Sequence, residues 1–230
     1  MSLHFDLEPD FLALYERCRA ETMTSIERMY ALYKAVEHVI ATGIPGDFAE
    51  CGVWRGGSAM MMALAARLFG DTSRTIWLYD TFAGMTWPSP RDVQAMTGKS
   101  AADILGERER SEADPFWGMA PRGTVEENLI RTGYPSERLS LVEGDVLATL
   151  PAQAPPTLAI LRLDTDWYDS TRHELECLYP RLSRGGVLIV DDYGYWTGAR
   201  EAVETYFAAK GGQRPLLNRI DFTGRIAVKP

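Results

Sequence analysis

The stretch Asp47-Phe-Ala-Glu50-Cys-Gly52-Val-Trp-Arg-Gly56-Gly57-Ser58 decides how the rest of the chain is read. A short apolar run reaches an acid, turns through glycines, and passes at once into a helical pattern over Gly57 to Phe69. Backbone without Cβ at such a turn leaves room for a ligand where the crevice of a doubly wound sheet opens. The spacing is not the dinucleotide fingerprint, because three residues separate Gly52 from Gly56. Glu50 beside the loop would repel a pyrophosphate, whereas it suits the cationic methionyl end of S-adenosylmethionine. The candidate cofactor contacts are therefore Glu50, Gly52, Val53, Trp54, Arg55, Gly56, Gly57 and Ser58. On this motif alone a tight turn with no ligand is an equal alternative.

Outward from that turn, short apolar runs alternate with helical patterns. Strands are predicted at Asp47 to Val53, Thr75 to Tyr79, Leu139 to Val142, Leu158 to Leu163 and Val187 to Val190. Helices are predicted at Gly57 to Phe69, near Arg122 to Thr132, and from Thr171 to Leu182, the last with Thr171-Arg-His-Glu174 as a capping box and Gly185-Gly186 as its exit. This alternation implies a parallel sheet covered by helices. A helix at about Gly198 to Lys210 precedes a short connection at Phe222-Thr-Gly224, which allows only an antiparallel hairpin between Pro215 to Asp221 and Arg225 to Val228. Ahead of the sheet, apolar residues from Phe11 to Ile40 recur at helical spacing in two amphipathic segments broken near Glu21 to Thr24. Ala83 to Pro121 is too long for an ordinary connection and reads as a lid-like insertion.

The bulk numbers fit one domain spanning 1–230, with N-terminal helices over 1–42: 230 residues, 46% hydrophobic and 24% charged. A net charge of -8 argues against nucleic acid and anionic membranes as partners and favours a neutral or cationic small molecule. Cys18, Cys51 and Cys177 have neither metal-ligand nor redox spacing, so they read as plain thiols in a reducing cytoplasm. The start of the chain lacks a signal-peptide pattern and no run of about 18 apolar residues occurs, so a soluble, cytoplasmic protein is expected.

The remaining chemistry lies in acids at strand ends. Asp80 closes the second strand about 24 residues past the glycines, where such folds present an acid to ribose hydroxyls. Asp145, in Glu143-Gly-Asp145, could accept from an adenine amine or simply cap a turn. Leu161-Arg-Leu-Asp164-Thr-Asp166 and Val187-Leu-Ile-Val-Asp191-Asp192 each end a strand in paired acids, and adjacent strand ends share one crevice. Crowded carboxylates repel unless a cation compensates, and oxygen ligands suit magnesium or calcium. Because successive strand residues face opposite ways, Asp191 and Asp192 reach one ion only if the chain curls there. With such an ion a bound hydroxyl is more acidic, and Asp166 or Asp164 can take its proton. His173, in the first turn of the helix that follows, is an alternative base. Trp54, Trp87, Trp117, Trp167, Tyr168, Tyr193, Tyr195 and Trp196 crowd these segments and would suit stacking on a sugar or polyketide ring.

From Glu27 to about Phe207 the chain resembles the macrocin O-methyltransferase family of magnesium-dependent enzymes that methylate sugar hydroxyls on antibiotics. The resemblance rests on Pro45 to Gly57, Asp80-Thr-Phe, Leu161 to Asp166, Leu178 to Gly186 and Asp191-Asp-Tyr193. It implies a Rossmann-like class I methyltransferase fold, with a seven-stranded, mostly parallel sheet, an antiparallel C-terminal strand and an N-terminal helical extension, often dimeric or of higher order. It also implies S-adenosylmethionine and Mg2+ as cofactors, with metal ligands at Asp164, Asp191 and Asp192, a base at Asp166 or Asp164, and cofactor contacts around Glu50, Gly52 and Asp80. The acceptor it implies is a small glycosylated secondary metabolite. Cys51 stands where threonine is usual, and Thr165 where glycine is frequent. Two other readings compete: a glycosyltransferase using Asp164-Thr165-Asp166 as a metal-binding D-x-D, and a cofactor-binding protein of the same fold without turnover.

Overall fold

The computed structural model describes residues 7–210 and 214–230. A seven-stranded sheet runs through it: β1 (Asp47–Cys51), β2 (Ile76–Asp80), β3 (Leu139–Glu143), β4 (Leu158–Leu163), β5 (Leu182–Val190), β6 (Asn218–Arg219) and β7 (Arg225–Val228). Their order is β3-β2-β1-β4-β5-β7-β6. The first five are parallel, and β7 runs antiparallel to both β5 and β6. The helices are α1 (Pro9–Cys18), α2 (Ile26–Ala41), α3 (Gly57–Leu68), α4 (Ala101–Gly106), α5 (Arg122–Ile130), α6 (Val146–Thr149), α7 (Tyr168–Leu178) and α8 (Thr197–Ala208).

Strand alternation divides the core between two faces. Phe48, Ile76, Leu78 and Ile160 pack with buried residues of α2, α3 and α5 on one side. Ala49, Cys51, Leu161, Leu163 and Leu188 pack with Leu175, Leu178, Val203 and Phe207 of α7 and α8 on the other. Helix α3 is apolar almost all round and buried from Gly57 to Ala66, as a helix enclosed by layers must be. The sheet order reverses between β1 and β4, so the crevice at their C-terminal ends is the ligand position of an open α/β sheet.

Four expectations need correction. The helix read from Thr171 begins three residues earlier, with Trp167 at its N-cap and no side-chain cap bond. Thr171 and Glu174 are buried instead of capping, because Glu174 takes a hydrogen bond from the Thr165 hydroxyl at 2.9 Å. That helix ends at Leu178, and Gly185-Gly186 lie inside β5, which starts at Leu182. Strand β1 stops at Cys51 because Gly52 turns at φ +82°, and a Cβ there would sit 2.0 Å from the Asp164 carbonyl oxygen.

The long insertion is ordered and packed. Its Ala101, Ile104, Leu105 and Trp117 form a cluster with Trp167, Trp196 and Ala199, at the starts of α7 and α8. Buried Asp92 accepts from the Tyr168 backbone N–H at 2.7 Å and from Ser89, which ties the insertion to α7. No described helix is long and apolar enough to cross a membrane. Cys18 and Cys51 are buried and Cys177 is half-buried, all as free thiols.

Candidate active site

A cavity of about 480 Å³ opens at the C-terminal ends of β1, β2, β4 and β5. At one end its wall holds Gly52, Val53, Trp54, Gly57, Ser58, Asp80, Gly144 and Asp145; at the other stand Glu50, Asp164, Asp166, Asp191 and Asp192. Of the expected contacts, Arg55, Gly56 and His173 are not in this lining. The His173 ring lies on the far side of α7, with Nε2 3.3 Å from the Leu150 carbonyl and 3.6 Å from the Cys177 thiol, so it is no base for this cavity. Among the aromatics, Trp54, Trp167, Tyr195 and Trp196 face the cavity; Trp117, Tyr168 and Tyr193 do not, and Trp87 is exposed outside it.

Asp80 anchors the glycine loop to β2. Its Oδ2 accepts from the backbone N–H of Val53 at 2.6 Å and of Trp54 at 3.2 Å, and its Oδ1 from Phe82 at 2.8 Å. Three donors on one carboxylate fix the loop while leaving lone-pair capacity for a hydroxyl. Asp145 caps α6 by accepting from the Leu147 N–H at 2.9 Å, so the cap reading holds while the residue also borders the cavity.

The acid cluster has a partner that sequence reasoning passed over. Arg162, in the middle of β4 and 2% exposed, neighbours Glu50 across the β1–β4 register. Its Nη1 donates to Glu50 Oε1 at 2.5 Å and Asp164 Oδ2 at 2.7 Å, and its Nη2 to Asp191 Oδ1 at 2.6 Å. Burial opposes the charge of this guanidinium, but Asp164, Asp191 and Glu50 outweigh it and hold it protonated. Glu50 is therefore already compensated from within the fold. Burial still pushes its carboxyl up to about 7 against the pull of Arg162. A charge set inside the apolar run Leu158 to Leu163 was the available signal, since a buried Arg is rare unless paired. Arg28 of α2 adds a second cation, bonded to Asp191 Oδ2 and to Asp221 Oδ2 at 3.0 Å. Nothing in the sequence pointed to Arg28 or to Thr22, Met23 and Thr24, which also border the cavity.

Asp166 occupies a left-handed backbone conformation, φ +67°, which is costly for a non-glycine residue and here turns its carboxylate into the cavity. The Trp196 indole N–H holds its Oδ1 at 2.8 Å. Burial, then the charge of Asp164, pushes the Asp166 carboxyl up to about 7. Asp164 and Asp192 are driven well above the carboxylate range by burial, with neighbouring carboxylates adding to it. Beneath them Glu174, fully buried, is pushed up to about 8. Such a group can receive a proton or gather round a cation, since a positive ion would relieve the repulsion.

Carboxylate oxygens of Asp164, Asp191 and Asp192 lie within 4.8 Å of one another, and Asp192 Oδ2 is buried with no hydrogen-bond partner. A hard divalent cation fits this donor set. The chain therefore does curl after β5 enough to bring both Asp191 and Asp192 to one place.

A sequence model of the macrocin O-methyltransferase family matches residues 16–228. The 8-demethyl-8-(2,3-dimethoxy-alpha-L-rhamnosyl)-tetracenomycin-C 4'-O-methyltransferase of Streptomyces olivaceus is 36% identical over 219 residues, 95% of this chain and 79% of that one. The mycinamicin III 3''-O-methyltransferase of Micromonospora griseorubida is 33% identical over 187 residues, covering 81% of this chain and 70% of that one. The solved O-methyltransferase NovP superposes with a TM-score of 0.77 at 32% identity, over 91% of this chain and 82% of that one.

Proposed function

The chain belongs to the macrocin O-methyltransferase family, and on that premise we propose that it methylates a sugar hydroxyl of a glycosylated natural product with the help of a divalent cation. It is an O-methyltransferase, and its family implies S-adenosylmethionine as the methyl donor. The observation that carries the finer reading is the division of the cavity into a glycine-loop end and an acid end.

At the first end, Asp80 and Asp145 would receive the ribose and adenine of the donor, and Gly52 and Gly57 would let it approach the backbone. Gly57 also allows the N-terminal segment to close over α3, because a Cβ there would meet the Glu21 carbonyl at 2.5 Å. At the second end, Asp164, Asp191 and Asp192 would hold the cation, which when bound lowers the pKa of an adjacent hydroxyl. Asp166, fixed by Trp196 and set near neutrality, would take the hydroxyl proton as the oxygen bonds to the methyl carbon and the carbon–sulfur bond breaks. Positioning the hydroxyl in line with that bond supplies much of the acceleration. The insertion contributes Met85, Pro115 and Phe116 to the wall, apolar surface suited to the acceptor's ring system.

The D-x-D glycosyltransferase reading leaves Asp191, Asp192 and the glycine loop without a task, and family membership sets it aside together with the reading that denies turnover. The test is methyl transfer from isotopically labelled S-adenosylmethionine to a panel of glycosylated aromatic and macrolide acceptors, with and without chelator. Label on a sugar oxygen, lost on chelation and restored by Mg2+, is expected. Transfer undiminished by exhaustive chelation would refute the metal reading, and label only on an aglycone would refute the sugar reading.

A further inference from the structure

Asp191 would be a poor cation ligand as it stands. Its Oδ1 is held by Arg162 and its Oδ2 by Arg28, so both oxygens already face a guanidinium. The two arginines differ in what else holds them. Arg162 is sealed in the sheet and bonded to Glu50 and Asp164 as well, so it has nowhere to go. Arg28 enters from α2 at the cavity wall, and its Nε is also paired with Asp221 Oδ2 at 3.0 Å. Asp221 is fixed independently, accepting from Ser25 Oγ at 2.8 Å and from the backbone N–H groups of Thr223 and Gly224. A second carboxylate therefore stands ready to keep Arg28 paired if Asp191 is given up.

We infer that Arg28 is an exchangeable counter-ion of the metal site: it neutralises Asp191 when no cation is present, and a divalent cation binds by displacing it onto Asp221. This rests on the divalent-cation reading above. The exchange conserves favourable pairing, because Asp191 trades a monovalent for a divalent partner while Arg28 keeps a carboxylate. It also links the ion to the mouth of the cavity. Arg28 follows the segment Thr22 to Thr24, and Asp221 precedes Phe222 and Thr223, and both segments border the opening.

The exchange predicts opposite effects from two substitutions that leave all three candidate ligands intact. Arg28→Gln removes the competitor, so Mg2+ should bind about tenfold more tightly or better, the scale of one nearby unit charge in a partly shielded site. Asp221→Asn removes the alternative partner, so Arg28 is left to Asp191 and Mg2+ should bind more weakly than to the unaltered chain. Calorimetric titration of MgCl2 into the metal-stripped full chain and both variants reads this directly, with no acceptor required. Thermal melts with and without Mg2+ check folding, and the rise in Tm on adding Mg2+ should be largest for Arg28→Gln. Equal or weaker Mg2+ binding by a folded Arg28→Gln, or unchanged binding by Asp221→Asn, would overturn the exchange while leaving the metal site standing. No saturable binding by the unaltered chain or by Arg28→Gln would overturn the metal reading and the exchange with it.

Discussion

Replacing Arg162 with methionine tests the electrostatic centre of the site, because methionine fills similar space without charge. Three carboxylates lose a partner, but not equally. Asp191 keeps Arg28, and the Asp164 side chain is 28% exposed and can be hydrated. Glu50, 1% exposed with Oε2 already unpartnered, has no such recourse. Removing one member of a buried ion pair costs about 3–5 kcal/mol. At roughly 2–4 °C per kcal/mol for a domain of this size, Tm should fall by about 6–20 °C near pH 8. The pH dependence has a definite sign. The Glu50 carboxyl already sits at about 7 with Arg162 beside it, above its unfolded value, so the folded state holds the extra proton. Without Arg162 the folded value rises further while the unfolded one stays put, so the added instability appears as pH climbs through about 7, where Glu50 ionises beside Arg162 but not without it. The deficit should therefore be smallest around pH 5 and grow towards pH 8. Calorimetric melts of both proteins across this range would measure it. A loss under about 2 °C at pH 8, or a deficit that grows on acidification, would refute the reasoning.

Asp164→Ala should abolish methyl transfer while leaving the affinity for S-adenosylhomocysteine within a few fold, as equilibrium binding of the folded variant would check. His173→Gln should keep essentially full activity, since the ring is turned to the Leu150 carbonyl and away from the cavity; a large loss in kcat in a steady-state assay would contradict that placement. Gly52→Ala should prevent accumulation of folded protein or abolish donor binding, because the added carbon would collide with the Asp164 carbonyl and the residue's positive φ favours glycine; circular dichroism and donor titration distinguish the two outcomes.

The sheet was largely readable because its signals are local. Leu158 to Leu163 is apolar but for Arg162, lies between Pro156 and Asp164, and becomes β4 with its own limits. The start of α7 was misread because Thr171 and Glu174 match a capping box by spacing, yet their side chains lie on the buried face, where tertiary packing overrides a local signal. The acids of the site were legible from their strand ends. Their counter-ions were not, since Arg28 lies 163 residues from Asp191 and meets it only through the packing of α2 against the sheet. Without Arg162 in view, the four acids that close β4 and β5 leave more of their repulsion to an external cation than the folded chain does. The length of the insertion marks it as lid-like, and only the fold reveals Asp92 and Trp117 anchoring it to α7 and α8.

Calorimetric titration of the purified chain with S-adenosylhomocysteine, run beside Asp80→Asn, tests most directly the claim that this cavity holds a methyl donor. The account predicts saturable one-to-one binding in the micromolar range, clearly weakened in the folded variant. No binding at millimolar ligand, or equal binding by the Asp80 variant, would contradict it.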